Sequence, residues 1–271
     1  MKKIVVAPDS FKGSLTSAEV ADAVERGIKD VFPQCNVVKA GVADGGEGTV
    51  EAIVKAVGGA MYAASVTDPL GRPVKAAYGI VRSGGVKTAV MEMSAASGLP
   101  LLLPDELNPW ITSTYGTGEM ISDALNRGCR KFLVGIGGSA TNDAGTGMLS
   151  ALGVRFLDSR GQRLKGCGRD LKSIARIDMS SLMPAARESE FIVACDVNTP
   201  FCGPDGAARV FAPQKGADPQ TAEALDRGMR SFARVIAGQF ETDIVYLRSR
   251  CSRRIRRRLQ SLFKCQADRR D

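Results

Sequence analysis

Apolar positions along the chain change their spacing several times, and each change marks an element. Residues 3–7 are apolar throughout after Lys3, as in a parallel strand buried on both faces. Ser17 then opens a stretch in which Ala18, Ala21, Val24, Ile28 and Val31 recur at helical spacing, with Pro33 beyond its end. Residues 36–40 read as a second strand and 47–57 as a second helix, stopped by Gly58-Gly59. This β-α-β-α order predicts a parallel sheet with right-handed crossovers. A more strand-rich stretch follows. Residues 61–67, 74–81 and 87–92 are predicted strands separated by Asp68-Pro69-Leu70-Gly71 and Ser83-Gly84-Gly85 turns. The change of pattern near Asp68–Pro73 is a candidate domain boundary. Further on, the pattern predicts a helix over 118–126, a strand over 131–136, a glycine loop and a helix from about 143 to 152. A strand over 191–194 comes next. A long helix over 219–240 then lines up Ala222, Leu225, Met229, Phe232, Val235 and Ile236 on one face. No internal repeat interrupts this order.

Composition narrows the class. A chain of 271 residues is one large domain or two smaller ones, and 44% hydrophobic with 24% charged residues suffices for a full core. Thirty glycines and only 6% aromatics favour an α/β protein with many tight turns over an all-β sandwich. Histidine is absent, which excludes a Ser-His-Asp triad, a Cys-His pair and His-ligated zinc. Acid–base chemistry falls to carboxylates, lysine, tyrosine or cysteine. The seven cysteines are scattered, with no CxxC pair, as expected in a reducing compartment. The first residues are too short an apolar run for a signal peptide, and no stretch approaches the ~18 apolar residues of a membrane span. A cytoplasmic protein with no membrane contact is expected.

The net charge of +8 changes meaning once located. Residues 248–271 carry ten basic and two acidic groups, so the whole excess sits there and residues 1–247 sum to zero. The body is neutral and a basic tail follows it. Such a block can bind polyanions, but aromatics for base stacking are not interleaved, so nucleic acid is not the expected partner.

Four loops combine buried strand ends with polar, glycine-rich sequence, where ligands bind in open α/β sheets. After strand one, Asp9, Ser10 and Lys12 offer a carboxylate, a hydroxyl and an ammonium; Ser and Asp are also ordinary loop formers. After strand two, Asp44 and Glu47 flank paired glycines at a helix start. N-capping accounts for the acids, but three glycines exceed what a cap needs and suggest a ligand close to the backbone. The third loop, Gly135-Ile136-Gly137-Gly138-Ser139-Ala140-Thr141-Asn142-Asp143, can aim backbone amides at an anion, helped by the N-terminus of the following helix. Phosphate binding at amides around Ser139, in an open crevice near Lys12 and Asp44, is the expectation; a tight turn with an Asn or Asp cap is the plain alternative. The loop also fits G-x-G-x-x-A, a dinucleotide turn of an NAD(P)-linked oxidoreductase, against which Asp143 argues by repelling a pyrophosphate. The fourth segment ends a strand at Asp196, placed to bind Mg²⁺ or accept a proton, and Lys215 follows in a Pro-Gln-Lys-Gly turn. Lys12 and Lys215 are candidate partners of a phosphoryl group; each can also be a solvated surface lysine.

Taken together, residues 7–15, 43–49, Gly116-Thr117-Gly118-Glu119, 137–143 and 210–217 resemble, collinearly, the bacterial glycerate kinase family of the tartronate-semialdehyde pathway. Ala144 and Ala212 stand where that family usually has glycine. The resemblance implies ATP-dependent phosphorylation of D-glycerate, usually at the 2-hydroxyl, with Mg²⁺. It implies two α/β domains with parallel-rich sheets and the cleft between them. Residues 1–72 would be the first part of a discontinuous Rossmann or flavodoxin-like domain, and 73–240 the second domain. In-line transfer would use lysines and Mg²⁺ to neutralise the phosphoryl group and a carboxylate to orient the hydroxyl. The expected catalytic residues are Lys12 and Asp44 or Asp196. Gly137, Gly138, Ser139, Thr141, Asn142 and Lys215 would hold ATP; Asp9, Ser10 and Glu47 would hold substrate; Asp143 and Asp196 would hold the metal.

The resemblance stops at about Leu247. Family members continue with Pro-Gly-Ala-Gly-Ala-Ala-Gly-Gly-Leu-Gly-Ala-Ala-Leu, where this chain has Arg248-Ser249-Arg250-Cys251-Ser252-Arg253-Arg254-Ile255-Arg256-Arg257-Arg258-Leu259. Read one base out of frame, Arg codons conceal Gly or Ala, Ser and Cys conceal Ala, and Ile conceals Leu. The series then decodes to the family stretch after its proline. A frame change near Leu247 is expected to have produced the aberrant basic tail over 248–271. It is also expected to leave the N-terminal domain without the family's C-terminal third, exposing apolar surface and weakening or abolishing kinase activity.

Overall fold

The computed structural model describes residues 3–8, 11, 14–15, 17–39, 48–194 and 199–241. β1 (Lys3–Val6), α1 (Ser17–Val31) and β2 (Asn36–Lys39) form a βαβ unit with β1 and β2 parallel. Val6, Val20, Ala21 and Cys35 are buried there. The expectation of a first strand buried on both faces is corrected: Val5 and Val6 point to opposite faces, α1 packs against the pair, and Val5 stays 59% exposed.

α2 (Thr49–Val57) starts behind Gly48 (φ +88°), two residues later than expected, and ends at Gly58 (φ +72°). The chain continues through β3 (Gly59–Thr67), β4 (Pro73–Ser83), β5 (Val86–Glu92), α3 (Ser94–Ser97), α4 (Tyr115–Asn126), β6 (Lys131–Gly135) and α5 (Thr146–Ala151). It closes with β7 (Arg155–Leu157), β8 (Arg176–Asp178), α6 (Pro184–Arg187), β9 (Glu190–Ala194), α7 (Ala207–Phe211) and α8 (Pro219–Phe240). One five-stranded sheet has the order β3-β4-β5-β6-β9. Its first three strands are antiparallel meander, and β5, β6 and β9 are parallel, as the α/β reading expects. α2 lies on this sheet, with Val50 and Val54 against Val81 and Val90.

The expected boundary at 72/73 falls within the turn joining β3 to β4, whose residues pair from Gly59 with Val81 to Thr67 with Pro73. That turn is fastened by Asp68, which accepts from the amides of Leu70 and Arg72 and from Arg72 Nε at 2.6 Å; the same guanidinium reaches Glu106.

The main core lies between the five-stranded sheet, α4 and α8. Tyr78, Phe132, Phe156, Met120 and Leu225 are fully buried, each contributing on the order of 2 kcal/mol by removal from water. Phe132 stacks on Phe191 at 4.6 Å between ring centres. α8 forms as its sequence indicates. Asp218 caps it by accepting from the Thr221 amide, Pro219 opens it, and its apolar stripe packs into the core. Near its far end Gln239 bonds both backbone groups of Ile177 in β8. The Gly116-Thr117-Gly118-Glu119 segment explains itself by packing. A Cβ at Gly116 would strike the Thr67 carbonyl and one at Gly118 the Met148 carbonyl, while Glu119 accepts from the Thr67 amide and hydroxyl. No helix among the described residues is long and apolar enough to cross a membrane.

Candidate functional site

Because β5, β6 and β9 run parallel, their carboxyl ends lie on one edge, with Glu92, Gly135 and Ala194 in register. Ligands of open α/β sheets bind at such an edge. The loops leaving β5 and β6 are stitched together there. Leu99 donates its amide to the Gly138 carbonyl and Ala140 donates to the Ser97 carbonyl, both at 2.9 Å, forming an isolated antiparallel bridge between Gly98 and Ser139. In a pair flanked by bonds in this way, Ser139's own amide and carbonyl point away from Gly98. Ile136, Gly137 and Gly138 are exposed and Ser139 is half-buried. Gly138 sits at φ +68°, which glycine adopts without strain. The amides of Gly137, Gly138 and Ser139 donate to no acceptor among the described residues.

Beneath this exposed rim lies Lys215, only 7% exposed. Its Nζ donates to Ser139 Oγ and to the Thr141 carbonyl, both at 2.7 Å. Burial lowers this ammonium to about 8, opposed in part by the attraction of Asp143. The surface-lysine alternative is therefore set aside for Lys215. The short turn Pro213–Lys215 ends at Gly216 (φ +93°), where a Cβ would collide with Leu107; the backbone could not turn there with a larger residue.

Thr141, Asn142 and Asp143 are turned inward. Asn142 Nδ2 lies 3.3 Å from Met229 Sδ of α8. Asp143 accepts four hydrogen bonds: from the Thr114 amide and hydroxyl, the Gly147 amide and, on the other oxygen, the Gly145 amide. Burial pushes its carboxyl above the usual range, while those donors pull the other way. Thr114 Oγ1 in turn accepts from the Met148 amide. Asp143 thereby ties the loop to the start of α4 and to α5, although the N-cap of α5 is Gly145, which makes no side-chain bond.

Two expectations about this loop are corrected. The following helix does not begin at 143. Ala144 (φ +51°) and Gly145 (φ +74°) are left-handed and delay α5 to Thr146, so a six-residue helix with a buried first turn adds no N-terminal field to the crevice. The dinucleotide alternative also fails on geometry, because that fingerprint needs a glycine turn opening straight into a long helix, and here a further turn separates Ala140 from short α5.

The described part of the site thus brings together Gly137, Gly138, Ser139, Thr141 and Lys215, with Asn142 and Asp143 behind. Asp9, Ser10, Lys12, Asp44, Glu47, Asp196 and the tail over 248–271 lie outside the described residues. Among those described, no group of three His, Cys, Asp or Glu side chains could hold a metal. Two contributors were missing from the sequence reading. Thr114 braces Asp143, and the Ser97–Leu99 segment fastens the turn. Their sequence carries no signal beyond small and polar residues, since both act through contacts between distant segments.

An α/β fold with an exposed, amide-lined turn at its carboxyl edge and a cation beneath it has the chemistry to receive an anion. The chain belongs to the glycerate kinase family, whose model matches residues 4–250. It is 50% identical over 233 residues to a glycerate kinase of Haemophilus influenzae, covering 86% of this chain and 61% of that protein. It is 46% identical over 242 residues to the glycerate 2-kinase of Escherichia coli, covering 89% and 63%. A crystal structure from Salmonella typhimurium LT2, provisionally named glycerate kinase 2, superimposes with a TM-score of 0.79 at 45% identity, over 91% of this chain and 66% of that one. The chain spans about three fifths of the length of the curated relatives it matches.

Proposed function

We propose that this chain carries the phosphate-binding part of an ATP-dependent kinase that phosphorylates D-glycerate at its 2-hydroxyl, giving 2-phosphoglycerate. The observation that supports this most is the exposed turn whose Gly137, Gly138 and Ser139 amides meet no acceptor among the described residues, above a buried lysine, in a chain of the glycerate kinase family. The amides of Gly137, Gly138 and Ser139 receive phosphate oxygens, and Lys215 supplies positive charge from behind without meeting solvent. Thr141 and Asn142 keep the turn in shape. Asp143 is a brace in this reading and not a metal ligand, because both its oxygens are occupied by N–H and O–H donors.

Lys12 is proposed to neutralise the transferred group, Asp44 or Asp196 to orient the attacking hydroxyl, and Asp9, Ser10 and Glu47 to hold glycerate. Mg²⁺, when bound, would screen the phosphoryl charge. The described residues do not fit it, for no carboxylate cluster faces the turn. Its proposed ligand is Asp196. Cys129 and Cys167 are free and buried, which supports the proposed cytoplasmic, reducing location.

A coupled assay of ADP formation with ATP and D-glycerate tests the reading, run on this chain beside a version with the reading frame restored after Leu247. Turnover of about 1–100 per second is expected of the restored protein and little or none of this chain. A restored protein that forms no glycerate-dependent ADP refutes the activity.

A further inference from the structure

The Lys215–Ser139 contact has a direction. A lysine ammonium donates and cannot accept, so Ser139 Oγ spends a lone pair on Lys215 at 2.7 Å. The hydroxyl hydrogen of Ser139 finds no acceptor among the described residues. Ser139 is half-buried and forms the step between the exposed Ile136, Gly137 and Gly138 and the buried Thr141. Its backbone cannot swing, because bonds on both sides, from Leu99 to Gly138 and from Ala140 to Ser97, fix it. Lys215 is held in its turn by the second bond, to the Thr141 carbonyl.

Resting on the reading that the turn takes nucleotide phosphates, we propose that the Ser139 hydroxyl is the side-chain donor that selects a phosphoryl oxygen at this site, and that Lys215 is a positioning residue acting through Ser139. Donation from the ammonium polarises the hydroxyl and leaves its hydrogen for a ligand at the exposed turn, beside the amides of Gly137 and Gly138, which meet no acceptor among the described residues. Chains of hydrogen bonds strengthen one another in this way in a low-dielectric interior. The buried ammonium thus reaches the ligand by way of a hydroxyl, and stays shielded from water and from direct contact with it.

Titration calorimetry on the full chain with ATP, and separately with inorganic tripolyphosphate, tests the assignment. Ser139→Ala should weaken both ligands by about 10- to 100-fold, the loss of one hydrogen bond to a charged acceptor. Ser139→Thr should restore most of it with a thermal midpoint near the native one, whereas Ser139→Ala, which takes one acceptor from the buried Lys215, should lose about 2–4 °C. Lys215→Met should weaken binding in the Ser139 background but by less than about twofold in the Ser139→Ala background, the non-additivity of two residues acting as one. Equal, additive losses would show that Lys215 acts on the ligand independently of Ser139 and overturn the relay. ATP binding untouched by Ser139→Ala would overturn the assignment while leaving the nucleotide reading intact. A native chain that binds neither ATP nor tripolyphosphate would refute both.

Discussion

Holding a charged lysine in the interior costs stability, and the cost is measurable at Lys215. The side chain is 7% exposed, and burial lowers its ammonium to about 8, against roughly 10.4 for an ordinary lysine. Keeping it protonated at pH 7 therefore costs about 3 kcal/mol. Lys215→Met fits the same volume without that cost, but leaves Ser139 Oγ and the Thr141 carbonyl without their donor, a loss of about 1 kcal/mol each. The variant should be more stable than the native chain at pH 7 by about 1 kcal/mol. The sign reverses with pH. Above pH 8 the folded lysine gives up its proton while the unfolded one keeps it to about 10.4, so the unfolded state binds more protons and native stability rises across that window. Nothing at position 215 titrates in the variant, so near pH 10 it should be the less stable by about 1 kcal/mol. Urea unfolding of both proteins from pH 7 to 10 reads this as two curves that cross. Parallel curves would show that Lys215 is not buried as a charge and refute the reasoning.

The other expectations concern the same loop and the tail. Asp143→Ala leaves four donors without an acceptor and should cost about 4 kcal/mol, seen as a large fall in the thermal midpoint; a variant as stable as the native chain but with altered divalent-ion dependence would return Asp143 to the metal. Ala144→Gly relieves the left-handed conformation at φ +51° and should raise the urea midpoint, a gain of about 0.5 kcal/mol after the added freedom of the unfolded chain; a loss would show that the methyl's packing outweighs the strain. Sequencing the gene checks the frame change: codons for residues 248–258 that do not decode to Gly-Ala-Gly-Ala-Ala-Gly-Gly-Leu-Gly-Ala-Ala one base over would end it.

What the sequence makes legible here is what depends on local spacing. α8 is read to the residue because Asp218-Pro219 opens it and its stripe repeats every three or four positions. The strands over Val86–Glu92 and Lys131–Gly135 are read because short apolar runs bounded by turns have few other uses. The start of α5 is misread because Asp143 is a good cap by type, while its carboxylate caps a loop whose next residue is left-handed. β7 and β8 are too short for a period, and what fixes β8 includes a side chain of Gln239, 62 residues away. The 116–119 glycines carry the resemblance in sequence, but the reason for them, a close approach of backbone to backbone, is a tertiary one. Lys215 stands out in the sequence as a candidate, but its burial, which decides how it can act, is a tertiary fact.

The stitch between the loops that leave β5 and β6 has a kinetic meaning. A flap closing over its guest must be ordered at the moment of capture, and that slows association and taxes affinity. The 136–139 turn is already riveted to Ser97 and Leu99 on one side and to Lys215 on the other. On the proposed reading, a phosphate arriving there would meet a seat that already has its final shape, with no ordering cost at capture.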